Sequence, residues 1–183
     1  MKNMMKRFIC SLLIASLMCV SIGTSVFAAD NVKAGVTGVL EIPHEADDLE
    51  RRLNEMTYEE LRTVLMEEFG ATPEEATLLA NYQMMGNVQT RTFPSNPEIG
   101  DVHKESFPFH VALGASVAAL AAAIVSGSKY ITLAKALTIA SAILSVGSNV
   151  LGNTVKVTVN YTYGYTNDGV LGWTPGYFEY EIL

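Results

Sequence analysis

The last thirty residues alternate. Val155, Val157, Val159, Tyr161, Tyr163 and Tyr165 take turns with Lys156, Thr158, Asn160, Thr162, Gly164 and Thr166. That period of two, filled with β-branched and aromatic residues, predicts a strand with one buried face. Asn167-Asp168-Gly169 is a turn signal, and Phe178, Tyr180 and Ile182 share one face of a returning strand near 177–182. Trp173, Pro175 and Gly176 interrupt its beginning, which predicts a bulge or an irregular crossover there. A two-stranded hairpin is marginal alone, so it needs something to pack on. Residues 32–42 offer a third strand.

A helical period governs the earlier part of the chain. Leu49, Leu53 and Met56 fall at helical spacing. Thr57 with Glu60, and Thr72 with Glu75, are capping-box pairs that satisfy exposed N–H groups at helix starts. Pro73 stands at a first helical position, and Gly70 is placed to end the preceding helix in a left-handed cap. The expected apolar sides are Tyr58, Leu61, Leu65 and Phe69 in one helix, and Leu78, Leu79, Tyr82 and Met85 in the next. Pro94, Pro97, Gly100 and Pro108 then forbid a helix or a central strand, so residues 91–108 are expected to be a linker.

Between Val111 and Leu151 the only charges are Lys129 and Lys135. Gly127 and Ser128 split this stretch into two apolar arms, 111–126 and 136–151, joined at a tip formed by Gly127 and Lys129. Sixteen helical residues span about 24 Å, short of a hydrocarbon core of roughly 30 Å. Gly114, Ala118, Ala122 and Ser126 recur every four residues, a smooth stripe on which a second helix can pack closely. Lipid and a protein core both satisfy such a hairpin. The fold class expected is α+β: acidic N-terminal helices, an apolar Ala-rich helical hairpin and a C-terminal antiparallel β-hairpin.

The first residues read as an export signal. Lys2, Lys6 and Arg7 precede an apolar run from Phe8 to Val20, and Val26-Phe27-Ala28 places small residues where a signal peptidase cuts. Processing after Ala28 assigns residues 1–28 to the signal and addresses the protein to the cell envelope or the exterior. Cys10 and Cys19, the two cysteines of the sequence, lie inside it, so the processed chain has neither disulfides nor thiolate ligands.

Charge divides what remains. Residues 30–105 hold sixteen acidic and six basic side chains, whereas residues 106–183 hold three of each. An acidic half without basic stripes argues against a nucleic-acid partner. The organisation expected is an acidic helical region at 29–90, the linker at 91–108, and the paired hairpins at 109–183. Arg91 lies in the linker, where a protease finds exposed chain, so the acidic region is a candidate propeptide.

Chemistry is harder to find. The sequence has no GxGxxG, no phosphate-cradling GxxxxGK[ST], no GxSxG and no HExxH. His44, His103 and His110 lack metal-ligand spacing, so no metal, cofactor or catalytic residue is expected. Tyr161, Tyr163, Tyr165 and Trp173 are candidate interfacial aromatics, because their rings shelter while their polar tips stay wet.

The layout of a signal, an acidic helical region and an apolar hairpin resembles precursors of secreted membrane-active bacteriocins. The resemblance implies a secreted, non-enzymatic antibacterial precursor whose hairpin acts on membrane lipid. The alternative is an exported soluble α+β domain that binds another protein and keeps the hairpin as its buried core.

Overall fold

The structure is a computed structural model that describes residues 37–43, 45–85, 93–128, 130–147, 149–166 and 169–183. The export signal with Ala28, the cysteines, His44, Arg91 and Lys129 lie outside the described residues. Lys33–Leu183 cluster as one compact unit. Its elements run β1 (Thr37–Glu41), α1 (Glu45–Asn54), α2 (Tyr58–Phe69), α3 (Pro73–Met84), β2 (Val102–His110), α4 (Val117–Gly127), α5 (Leu133–Ser145), β3 (Thr154–Tyr165) and β4 (Leu171–Ile182). The strands form one antiparallel sheet in the order β1-β4-β3-β2, so the fold is α+β.

The helix starts were written locally. Thr57 and Thr72 each accept from the N–H three residues on, while Glu60 and Glu75 reach back to the cap N–H. Gly70 ends α2 at φ 70°, a conformation that costs glycine little. Leu53, Leu61 and Leu65 are fully buried. In α3 the buried side centres on Ala76, Leu79 and Ala80, while Leu78 and Met85 of the expected stripe are exposed. The two sets share Leu79, and packing on α4 brings Ala76 and Ala80 inward beside it.

The apolar arms are shorter than their hydropathy suggests. Gly114 sits at φ 76° in a turn, and the Ser116 side chain accepts from Ala119 N–H at 3.1 Å, fixing the start of α4 at Val117. Val111 instead continues the sheet, exchanging backbone hydrogen bonds with the Gly152–Asn153 turn. The second arm begins at Leu133, three residues early, and closes before Gly147 at φ 107°. The helices hold 11 and 13 residues, about 17 and 20 Å at 1.5 Å per residue. Among the described residues, no helix is long and apolar enough to cross a membrane.

Both arms are wrapped. α4 contacts α5, α2, α3 and β2, and α5 contacts α1 and α3. Leu120, Ala121, Ile124, Leu137, Ile139 and Ile143 join Phe107, Val155, Val157, Val159 and Phe178 of the sheet in one buried core. The hairpin is the middle layer, between the sheet and α1–α3.

β2 occupies the second half of the expected linker. It pairs from Val102↔Thr162 to His110↔Thr154 and lies at the edge of the sheet. An edge strand tolerates Pro108, whose missing N–H costs no ladder bond on the open side. At the opposite edge, β1 pairs with β4 from Thr37↔Glu181 to Glu41↔Tyr177, adding the third strand anticipated at 32–42.

Of the bulge or irregular crossover expected near Gly176, the bulge is what is present, and it has a geometric effect. Asn160 faces Tyr177, but Tyr161 faces Pro175, leaving Gly176 over. An extra residue reverses which positions of a strand point inward. Phe178, Tyr180 and Ile182 therefore share a face with Pro175 and Trp173, which have the opposite parity.

Candidate functional site

That change of phase gathers aromatic rings at one end of the inner sheet face. Tyr161 on β3 and Trp173 on β4 flank the bulge, and β2 contributes His103, directly opposite Tyr161. Tyr130 comes from the turn between α4 and α5. Ser128 holds that turn: its hydroxyl accepts from Tyr130 N–H and Ile131 N–H, both at 3.2 Å, and donates to the Glu105 carboxylate on β2 at 2.5 Å. A buried serine thus ties the hairpin turn to the sheet and orients Tyr130.

Phe93 fills the space these residues enclose. Its ring lies 4.2 Å from Tyr130 at an interplanar angle of 26°, and 5.1 Å from Trp173 at 12°. Two rings so close to one face would collide, so Tyr130 and Trp173 take opposite faces of Phe93. His103 and Tyr161 meet Phe93 edge-on, at 5.6 Å and 5.4 Å. Stacked and edge-on contacts are the two arrangements that the ring quadrupole favours. Tyr163 extends the group through Trp173, at 5.4 Å.

A cavity of about 180 Å³ adjoins this aromatic box, lined by Glu50, Thr132, Lys135 and Pro175 beside four of its rings. Lys135 is largely buried and lies 3.6 Å from Asp47 and 3.7 Å from Glu50. Thr132 also donates to Glu50, at 3.1 Å. Lys135 is thus held by two carboxylates, of which Glu50 lines the cavity, and these pairs join α1 to α5. A wider groove lies between α3 and the end of α4, where Leu78 and Met85 are exposed beside Ser126 and Gly127.

Three of the four candidate aromatics meet at the box. Tyr161 is buried, Tyr163 and Trp173 are half-buried, and Tyr165 is 71% exposed at the far end of β3. The small-residue stripe lies only partly within α4, and its burial falls off along it. Ala118 is buried and Ala122 half-buried, but Gly114 is exposed ahead of the helix and Ser126 is exposed near its end. The buried side of α4 runs instead through Ala118, Ala121, Ile124 and Val125. Gly127 ends α4 close to Phe107, where an added Cβ would lie 3.1 Å from the ring.

The sequence reading missed Phe93, Tyr130, His103 and the Glu50–Thr132–Lys135 wall as a group. A lone phenylalanine before Pro94 in a polar stretch was the available signal for Phe93. Among the described residues, no three His, Cys, Asp or Glu side chains come together to hold a metal. What the site offers is ring faces, the Lys135 ammonium and the Glu50 carboxylate around a small, partly open hollow, which suits non-covalent recognition. No protein-family model matches the chain, and neither curated proteins nor solved structures gave a match.

Proposed function

We propose that this chain is an exported, non-enzymatic binding module whose apolar hairpin is its core and whose aromatic box and adjoining cavity form its ligand face. The observation that carries the reading is the burial of the hairpin. Leu120, Ala121, Ile124, Leu137, Ile139 and Ile143 are each no more than 2% exposed. Each large apolar side chain so buried is worth about 1.5–3 kcal/mol. Inserting the hairpin into lipid would first require stripping away the sheet and α1–α3, with no gain in apolar contact to offset the loss.

The test is flotation of the processed protein with anionic and zwitterionic liposomes, beside a thermal melt in buffer. The module should remain in the aqueous fraction and melt in one cooperative step, with the same midpoint with and without vesicles. Recovery of the folded protein in the lipid fraction would overturn this reading in favour of a membrane-active hairpin.

A further inference from the structure

Phe93 enters the box on a segment with weak ties of its own. Pro94 and Pro97 have no N–H to donate, and Pro94, Ser95 and Asn96 are exposed. Asn96 adopts φ 58°, a left-handed conformation uncommon outside glycine. The firm anchor comes later, where Gly100 N–H donates to the Tyr163 carbonyl and Tyr163 N–H to the Asp101 carbonyl, both at 2.9 Å. The four walls come from four other places in the chain: β2, the α4–α5 turn, β3 and β4. The walls are thus built without residues 93–97, and the ring is delivered to them by a short irregular strap.

We infer that the box is a receptor for an aromatic side chain of a partner protein, and that Phe93 occupies it in cis as a displaceable plug. The inference rests on the binding-module reading and names its ligand: an extended segment presenting a Phe or Tyr ring beside proline. The strap itself is the argument for that class, because Phe93-Pro94 is the ligand already seated. Tyr130 and Trp173 both lie nearly parallel to the seated ring, at 26° and 12°, an arrangement that matches a planar aromatic group. The cavity beyond, with Lys135, Glu50 and Thr132, gives the incoming segment polar groups that Phe93 does not use.

A tethered competitor acts at an effective concentration of order millimolar. If the strap is docked about nine-tenths of the time, the apparent affinity for a ligand in trans falls about tenfold. Trp173 reports on this directly, since it is the sole tryptophan of the sequence and forms one wall of the slot. The probe is the acetylated, amidated pentapeptide Phe-Pro-Ser-Asn-Pro, which copies residues 93–97, with Ala-Pro-Ser-Asn-Pro as its control.

Titration into the wild type and into Phe93→Ala should give saturable changes in Trp173 emission, at least tenfold tighter for the variant. The control peptide should have no effect on either protein, and adding Tyr130→Ala to the variant should abolish binding. Equal affinity of the two proteins, or no binding to a Phe93→Ala protein that melts cooperatively, would overturn the inference. Dimers formed by the wild type without peptide would overturn it in favour of strap exchange between copies. If Phe93→Ala does not fold, Phe93→Leu takes its place; failure of both would make Phe93 an obligatory core residue and end the proposal. Liposome flotation reads the hairpin and peptide titration reads the box, so either idea can fail without the other.

Discussion

Replacing Leu120 by arginine places a charge in the middle of α4, at a side chain 2% exposed to solvent. The residue belongs to the core that α4 shares with the sheet and the N-terminal helices. Loss of the leucine contribution removes about 1.5–3 kcal/mol. An unpaired guanidinium in that position adds a desolvation cost of several kcal/mol, so the total is at least about 4 kcal/mol. Domains of this kind have about 5–15 kcal/mol in all. At roughly 2–4 °C per kcal/mol for a unit of this length, the midpoint should fall by at least about 8 °C, or folding should fail. Ser126→Arg is the matched control, because Ser126 lies on the same helix and is exposed; it should change stability by no more than about 0.5 kcal/mol. Circular dichroism melts of the three proteins, with liposome flotation on the same samples, make the measurement. A Leu120→Arg protein that melts within about 2 °C of its parent would refute the argument that this hairpin is a packed core. Unchanged melting combined with loss of vesicle binding would point to lipid as the natural environment of that face.

Four further outcomes follow from local geometry. Thr57→Ala removes the α2 capping box and should cost about 1 kcal/mol in a denaturant melt; an unchanged midpoint would show that the cap adds nothing. Glu60 is held below its ordinary value of 4.5 by the Thr57 backbone N–H first and the Thr57 hydroxyl second. Its contribution is therefore complete above that value and is lost as pH falls through the lower, folded one, so Glu60→Gln should flatten stability against pH in that acid window. Burial raises the Tyr180 phenol above 10.0, so stability should decline as pH climbs from there through the folded value, and Tyr180→Phe should remove that part of the alkaline loss. At Gly127, valine would press on Phe107, whose ring atoms lie 3.1–3.3 Å from an added Cβ; destabilisation of about 1–3 kcal/mol is expected, and a variant as stable as the parent would show that Phe107 moves freely.

The parts of the fold that could be read from the sequence are those whose cause is local. The Thr57–Glu60 and Thr72–Glu75 boxes and the Gly70 cap each sit within a few residues of what they control. The alternation in β3 holds from Val155 through Val157 to Val159, which face the core, and fades beyond them, where Asn160 is buried beside Tyr161 and Tyr165 is exposed. β2 was hidden because two of its inward positions are polar. His103 faces the aromatic box and Glu105 meets Ser128, so the alternation shows no hydrophobic stripe until Phe107 and Phe109. The ends of α4 and α5 were misjudged because hydropathy does not register Gly114 or Ser116, whereas backbone geometry does. The box was least legible of all: Phe93, Tyr130 and Trp173 are brought together by the hairpin turn and a one-residue bulge, and neither leaves a pattern of recurrence. The acidic wall of the cavity reads in sequence as the solvated face of an ordinary helix.

The bulge at Gly176 also marks where support for the sheet runs out. β1 ends its pairing at Glu41↔Tyr177, and Ile42 N–H makes one last bond to the Gly176 carbonyl. On the other side, β2 stops at Val102↔Thr162. Tyr163 is still held on that side by the Gly100 N–H and the Asp101 carbonyl, so Gly164 and Tyr165, opposite Gly172 and Leu171, form the bare ribbon, while residues 154–160 lie inside four strands. Cooperative openings follow such differences in neighbour support. Amides of the ribbon should exchange with solvent through small local excursions, and those at Val155, Val157 and Val159 only when the whole unit unfolds. The aromatic walls at Tyr163 and Trp173 are the last supported pair before the pliable end of a stiff sheet, so the hairpin beyond them can breathe without putting the core at risk.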